Sequence, residues 1–221
     1  MKKHSCKDSY EEFLKHFADR RLSRRSFILY GLANIIMVED DVALAELEKS
    51  IEAWKTKGKL YIRRYGKCDP INNPYKKLYK KIWGGEVIQD HDNNKESKER
   101  LKKKLLGKYH IEGLINYQYA HVWGKTKTPI MFTALFNIVL IPKMFDPLTG
   151  HETKGKFAAE FRKCFKHHIR EMFPKSIARY NEFVSGLDIA AKIDNYCKKH
   201  ECSVPVGFCA NAKKEWETIE G

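Results

Sequence analysis

Apolar residues recur at helical spacing early in the chain, at Tyr10, Phe13, Leu14 and Phe17 and again at Val42, Leu44, Leu47, Ile51 and Trp54, so residues 8–56 read as helices. GKLYIRRYG, Gly58 to Gly66, is bounded by glycine and rich in β-forming residues, which predicts a strand. CDPINNPYKK then reads as a turn-rich loop and IWGGE, Ile82 to Glu86, as a turn. Gln89 to Lys108 is the most polar segment; it begins as a loop and becomes a basic helix between Glu96 and Leu106, the best place for a boundary or an exposed arm.

The period changes after that. INYQYAHVW, Ile115 to Trp123, alternates roughly and is aromatic and β-branched, so it predicts a strand with His121 near its end. GKTKTP is a loop, NIVLIP (Asn137 to Pro142) a short apolar strand, and DPLTGHETKG a turn through proline and glycine. Phe157, Phe161, Phe165, Ile169 and Phe173 form a stripe at four-residue spacing, a helix packed by one face. Its other sides carry Lys154, Lys156, Arg162, Lys163, Lys166, His167 and Arg170. A last helix is predicted from Ala178 to Lys199 through Tyr180, Phe183, Val184, Leu187, Ala191 and Ile193. No internal repeat or low-complexity tract is present.

Charge narrows the classes of partner. With 42 Lys and Arg against 28 Asp and Glu, the formal charge of +14 favours encounters with polyanions, nucleic acid first. Four arginines fall within six residues of DRRLSRRS, a phosphate-contacting patch or a solvated helix face or turn. The 43% hydrophobic and 32% charged residues are the balance of a folded globular protein. The start of the chain carries no apolar run, and the longest uncharged stretch, Thr128 to Pro142, is too short to span a bilayer. We therefore expect a soluble cytoplasmic protein, with no membrane, whose six dispersed cysteines are mostly reduced thiols. No GxxxxGK[ST], GxGxxG or GxSxG is present, so no nucleotide cofactor is expected.

Hydrolysis of a phosphodiester needs an activated water and a cation against the growing phosphate charge, which a neutral imidazole and a divalent ion supply. Two histidines and an amide flank the strand–loop–strand–turn–helix order in AHVWGKTK and FNIVLIPK…DPLTGHE. Over residues 115–170 the chain resembles the HNH, or ββα-metal, endonucleases. That resemblance implies His121 as general base, Asn137 as the asparagine that orders the site, and His151 as the metal-binding histidine, with His167 as its substitute because the interval from Asn137 is long for the motif. Many members have an acidic ligand before the first histidine, where this chain has Ala120, so Asp146 or Glu152 is expected to supply the carboxylate and water the rest of the shell of a Mg²⁺-like ion. Lys125, Lys127, Arg162 and Lys166 are expected to hold the phosphate backbone. The structural alternative is a satisfied strand-end histidine, a structural asparagine and a helix cap at Thr149 or Thr153.

Cys197, His200, Cys202 and Cys209 offer a second candidate, a zinc knuckle, against free thiols on a helix end and loop. The whole reads as an α+β chain, mostly helical, with an embedded ββα-metal element: a helical region with a short strand at 1–110, the nuclease element at 111–175 and a helical region at 176–221, probed as one compact domain. The function expected is a divalent-metal-dependent DNA endonuclease of restriction or defence type, a homodimer if it cuts both strands of a symmetric site. The alternatives are a non-catalytic nucleic-acid-binding module and an RNA-cleaving toxin.

Overall fold

The fold is taken from a computed structural model, which describes residues 7–8, 23–64, 73–90, 92, 94–106, 109, 113–150, 153–200 and 204–220. The elements run β1 (Lys7–Asp8), α1 (Arg24–Ala33), α2 (Asp40–Lys55), β2 (Lys59–Arg63), α3 (Pro74–Ile82), β3 (Glu86–Asp90), α4 (Lys95–Leu105), β4 (Leu114–Ile115), β5 (Tyr117–His121), β6 (Ile138–Pro142), a 3-10 turn (Lys143–Phe145), α5 (Asp146–Thr149), α6 (Lys156–Met172), α7 (Pro174–Ser185), α8 (Ile189–Lys199) and α9 (Phe208–Glu215). The architecture is α+β and mostly helical, with three small two-stranded sheets among the described residues.

Sheet pairing follows burial. All five residues of β6 are buried, the continuous apolar run of a strand covered on both faces. It pairs antiparallel with β5, from Tyr117 opposite Pro142 to His121 opposite Ile138. On its other edge the Ile36 amide donates to the Leu140 carbonyl at 2.8 Å and the Leu140 amide returns a bond to Ile36 at 2.9 Å. β2 and β3 pair in parallel, Lys59 opposite Glu86 through Arg63 opposite Asp90, and α3 is the crossover between them.

Short polar residues hold the starts of α1, α3 and α7. Ser23 caps α1 by accepting from the Ser26 amide at 3.0 Å. Asp40 opens α2 and reaches across to α7, where its carboxylate accepts from the amides of Lys175 (2.8 Å) and Ser176 (3.0 Å), an anion against a helix start. The phenylalanine stripe of α6 is core, with Phe161, Phe165, Ile169 and Phe173 buried. Trp54 stacks on Trp83 with centroids 4.6 Å apart and meets Trp216 edge-on, so α2, α3 and α9 share one aromatic cluster. The hydrophobic core runs without a break from Ile28 to Ile219, through all three regions read from the sequence.

Four readings are corrected. CDPINNPYKK does not stay a loop: Asn73 is an N-cap accepting from the Tyr75 and Lys76 amides, and Pro74 takes the first helical position of α3. IWGGE turns at Gly84 (φ +83°) but then delivers a strand, β3. The helix read from Ala178 to Lys199 is two, since α7 ends at Ser185 and α8 starts at Ile189, with Ala191 exposed. Cys197 and Cys209 form a disulfide joining α8 to α9, so neither is a free thiol or an available zinc ligand in this state. Cys202 lies outside the described residues, and Cys164 is a free cysteine. No helix among the described residues is long and apolar enough to cross a membrane.

Candidate active site

β5 exposes one face in part through Tyr117, Tyr119 and His121, while Ala120 is buried on the other. His121, the last residue of the strand, is half-buried, and its ring lies nearly parallel to that of Phe132 at 6.0 Å. Phe132 sits in the loop between β5 and β6, and its carbonyl lies 3.3 Å from His121 Nε2. A carbonyl only accepts, so Nε2 carries the proton and Nδ1 keeps its lone pair. Burial pushes the imidazole down to about 4; the Phe132 carbonyl opposes this, and Arg63 and Lys98 add to it. The ring is therefore neutral at physiological pH. Ser97 of α4 donates to the same carbonyl at 2.5 Å, so α4 and the ring are tied to one atom of the loop.

Asn137 is fully buried and closes that loop. Its Oδ1 accepts from the Trp123 amide at 3.0 Å, and its Nδ2 donates to the carbonyls of Gly124 and Met131, both at 2.9 Å. Its own carbonyl accepts from the Val122 amide at 2.9 Å. Trp123, Gly124 and Met131 are thereby fixed by one side chain. Gly124 (φ +67°) allows the turn that brings its carbonyl round to the amide.

The four cations expected on phosphate are differently engaged. Lys125 Nζ donates to the carbonyls of Lys214 (2.9 Å) and Glu217 (2.7 Å), at the end of α9. Lys127 Nζ donates to the carbonyls of Arg64 and, at 3.5 Å, Arg63, and its backbone amide donates to Glu215 at 2.9 Å. Burial lowers the Lys127 ammonium to about 8, with Arg63 adding to the shift. Both lysines thus point at carbonyls of their own chain and fasten the loop to β2 and α9. Arg162 Nη1 donates to the carbonyls of Gly150 and Thr153, both at 3.0 Å. Lys166 is exposed; burial of its stem and the neighbouring Arg162, Lys214 and Arg170 lower it.

Of the expected metal ligands, those among the described residues are not gathered around His121. His151 and Glu152 lie outside the described residues. Asp146 begins α5, beyond the Tyr117 end of the hairpin, where the Lys143 amide donates to Asn116. His121 ends the ladder at the other side, about 14 Å along four strand residues. His167 is exposed and pairs with Glu171 on its own helix at 3.4 Å. Among the described residues no three His, Cys, Asp or Glu are grouped to hold an ion, and the charges acting on the imidazole, Arg63 and Lys98, are positive, so these residues do not fit a divalent ion at His121. Thr149 donates back to the Asp146 carbonyl at 2.8 Å, and no side chain caps α6, so the capping role read for Thr149 or Thr153 is not taken up.

Arg63, Lys98, Tyr119 and the Phe132 carbonyl were missed by motif reading. Lys98 lies over the Tyr119 ring at 5.5 Å, and Arg100 over Tyr61 at 5.8 Å, so α4 sets cations on aromatic faces of β5 and β2. Only their residue types in GKLYIRRYG and the basic helix signalled them.

No solved structure matches the chain. A Pasteurella multocida (strain Pm70) protein, "Uncharacterized protein PM1201", is 30% identical over 222 residues, covering 98% of this chain and 99% of the relative. The family model described as "Uncharacterised protein PM1201" matches residues 37–220, which takes in α2 through α9 and every candidate residue above. The chain belongs to that family.

Proposed function

We propose that the chain is a nucleic-acid phosphodiesterase, an endonuclease acting on DNA, with His121 as general base. The observation that carries the reading is the hydrogen bond from His121 Nε2 to the Phe132 carbonyl, which commits the imidazole to one tautomer and leaves Nδ1 free to take a proton. His121 removes a proton from water as the water attacks phosphorus; the ester bond from phosphorus to the leaving oxygen breaks, and that oxygen takes a proton from solvent. Arg63 and Lys98, the cations acting on the ring, neutralise the charge that grows on the phosphate. Asn137 holds the loop that presents the Phe132 carbonyl, and so sets the direction of the ring. Lys166, with Arg162 and Arg170 on α6 and Lys214 on α9, forms a cationic surface for the phosphate backbone.

The resemblance to ββα-metal nucleases implies a divalent ion, Mg²⁺ or another, but the described residues at His121 do not fit one, so the reaction is assigned to the side chains alone. A twofold homodimer would supply two sites for cutting both strands.

The test is incubation of plasmid DNA and structured RNA with the protein, with Mg²⁺ and with chelator. Cleavage of DNA that disappears in His121→Ala, with retention on a nucleic-acid column unchanged, is the expected result. Undiminished cleavage by that variant ends the assignment. The weak basicity of the ring favours a second reading, a module that binds nucleic acid without cutting it; intact DNA and RNA under every condition, with binding retained, would select it.

A further inference from the structure

A cleft of about 410 Å³ separates α3 from β3, away from His121 and unused by the proposed reaction. Lys76 and Lys80 line one wall, Gly84 and Gly85 one end, and Glu86 to Gln89 of β3 the other wall. Lys76 and Lys80 stand one helical turn apart, about 6 Å, on the same side of α3. Among the described residues neither ammonium has an ion pair, although acids are plentiful elsewhere on the surface.

Gln89 supplies the second, independent observation. It is 2% exposed, and its Nε2 has no acceptor. Its orientation is forced by the backbone. Asn73 Oδ1 must accept from the amides of Tyr75 and Lys76, so Asn73 Nδ2 faces Gln89 and bonds to Oε1 at 2.6 Å. Turning the Gln89 amide over would set two NH₂ groups against each other. The Gln89 NH₂ is therefore held away from Asn73 as a buried donor lacking its acceptor, an arrangement that costs free energy until an acceptor arrives.

We propose that this cleft binds a phosphomonoester, its phosphate held by Lys76, Lys80 and the Gln89 amide and its organic body lying along Val87 and Ile88. The donor set matches the ligand: a phosphomonoester has three acceptor oxygens and close to two negative charges, against two oxygens and one charge for a carboxylate. The volume lies in the range of small-ligand sites, roughly 300–1,000 Å³. Glu86, the one acid among the described residues lining the cleft, is exposed and stands across the ladder from Lys59. The phosphate belongs either to a free small molecule or to the phosphorylated end of a nucleic-acid strand. The site does not depend on His121 being catalytic.

The test follows the Gln89 side-chain amide by ¹⁵N NMR in the full chain, titrated with inorganic phosphate, adenosine 5′-monophosphate, and a dinucleotide with and without a 5′-phosphate. Saturable shifts with the monophosphates and none with the unphosphorylated dinucleotide are expected. Tighter binding of adenosine monophosphate identifies a free small molecule, and tighter binding of the phosphorylated dinucleotide a strand end. Lys76→Gln and Lys80→Gln, surface changes that leave the melting temperature in place, each weaken binding about tenfold. Gln89→Glu keeps the acceptor for Asn73 and removes the donor, so in that variant the backbone amides of Gly84 and Gly85 on the cleft no longer show saturable shifts; if the variant unfolds, the lysine variants decide. No saturable shift with any probe, or lysine variants that bind as tightly as the parent, overturns the proposal.

Discussion

A single amide, that of Asn137, decides the shape of the loop beside His121. Its three hydrogen bonds are buried, so removing the side chain strands the Gly124 and Met131 carbonyls and the Trp123 amide. Asn137→Ala should cost about 2–4 kcal/mol in urea unfolding, more than a surface change would. His121 gives a second prediction, through pH. Its folded value of about 4 lies below the ordinary 6.5, so between those two values the unfolded chain takes a proton that the folded chain refuses. Stability contributed by the neutral ring is complete above pH 6.5 and falls as pH drops toward 4. Burial also lowers His168, which acts in the same direction, so the comparison must be with a His121→Phe variant, whose urea midpoint should vary less between pH 4.5 and 7. Equal pH dependence in the two proteins would remove the burial argument.

Elements with a strong local period were legible in the sequence, and those set by distant partners were not. The stripe of α6, the alternation of β5 and the apolar run of β6 each follow from the face that they bury. β3 was missed because EVIQD is short and its pairing with β2 is known only once α3 has crossed over. α3 itself was signalled by Asn73-Pro74, a cap followed by a first-turn proline, which the turn-rich composition concealed. At the site, His121 and Asn137 came from their positions at strand ends, whereas Arg63 and Lys98, whose charges act on the ring, come from far along the chain, which no spacing rule records. Helix packing gives its own test at Gly31 in α1. Alanine there gains about 1 kcal/mol of helix propensity, yet its Cβ would stand 2.8 Å from the Phe145 ring and 3.0 Å from Phe161. Overpacking of a core costs about 1–3 kcal/mol, so Gly31→Ala should lower the melting temperature instead of raising it.

Across the whole molecule, the C-terminal helices are fastened to the candidate site. Lys125 and Lys127 bond to the end of α9 and to Glu215, and α9 is stapled to α8 by Cys197–Cys209, twelve residues apart in sequence. A loop of that size is worth about 3 kcal/mol through the unfolded chain, so reductant should lower the urea midpoint of the parent and leave a Cys197→Ser/Cys209→Ser variant unmoved. Thiol titration of the unreduced, unfolded protein checks the premise. β6 lies at the centre of this assembly, paired with β5 on one edge and with Ile36 on the other, its five side chains enclosed. In deuterated solvent the amide of Leu140, locked to Ile36, should thus be among the last to trade its proton, at a rate set by opening of the entire chain and not by any local breathing.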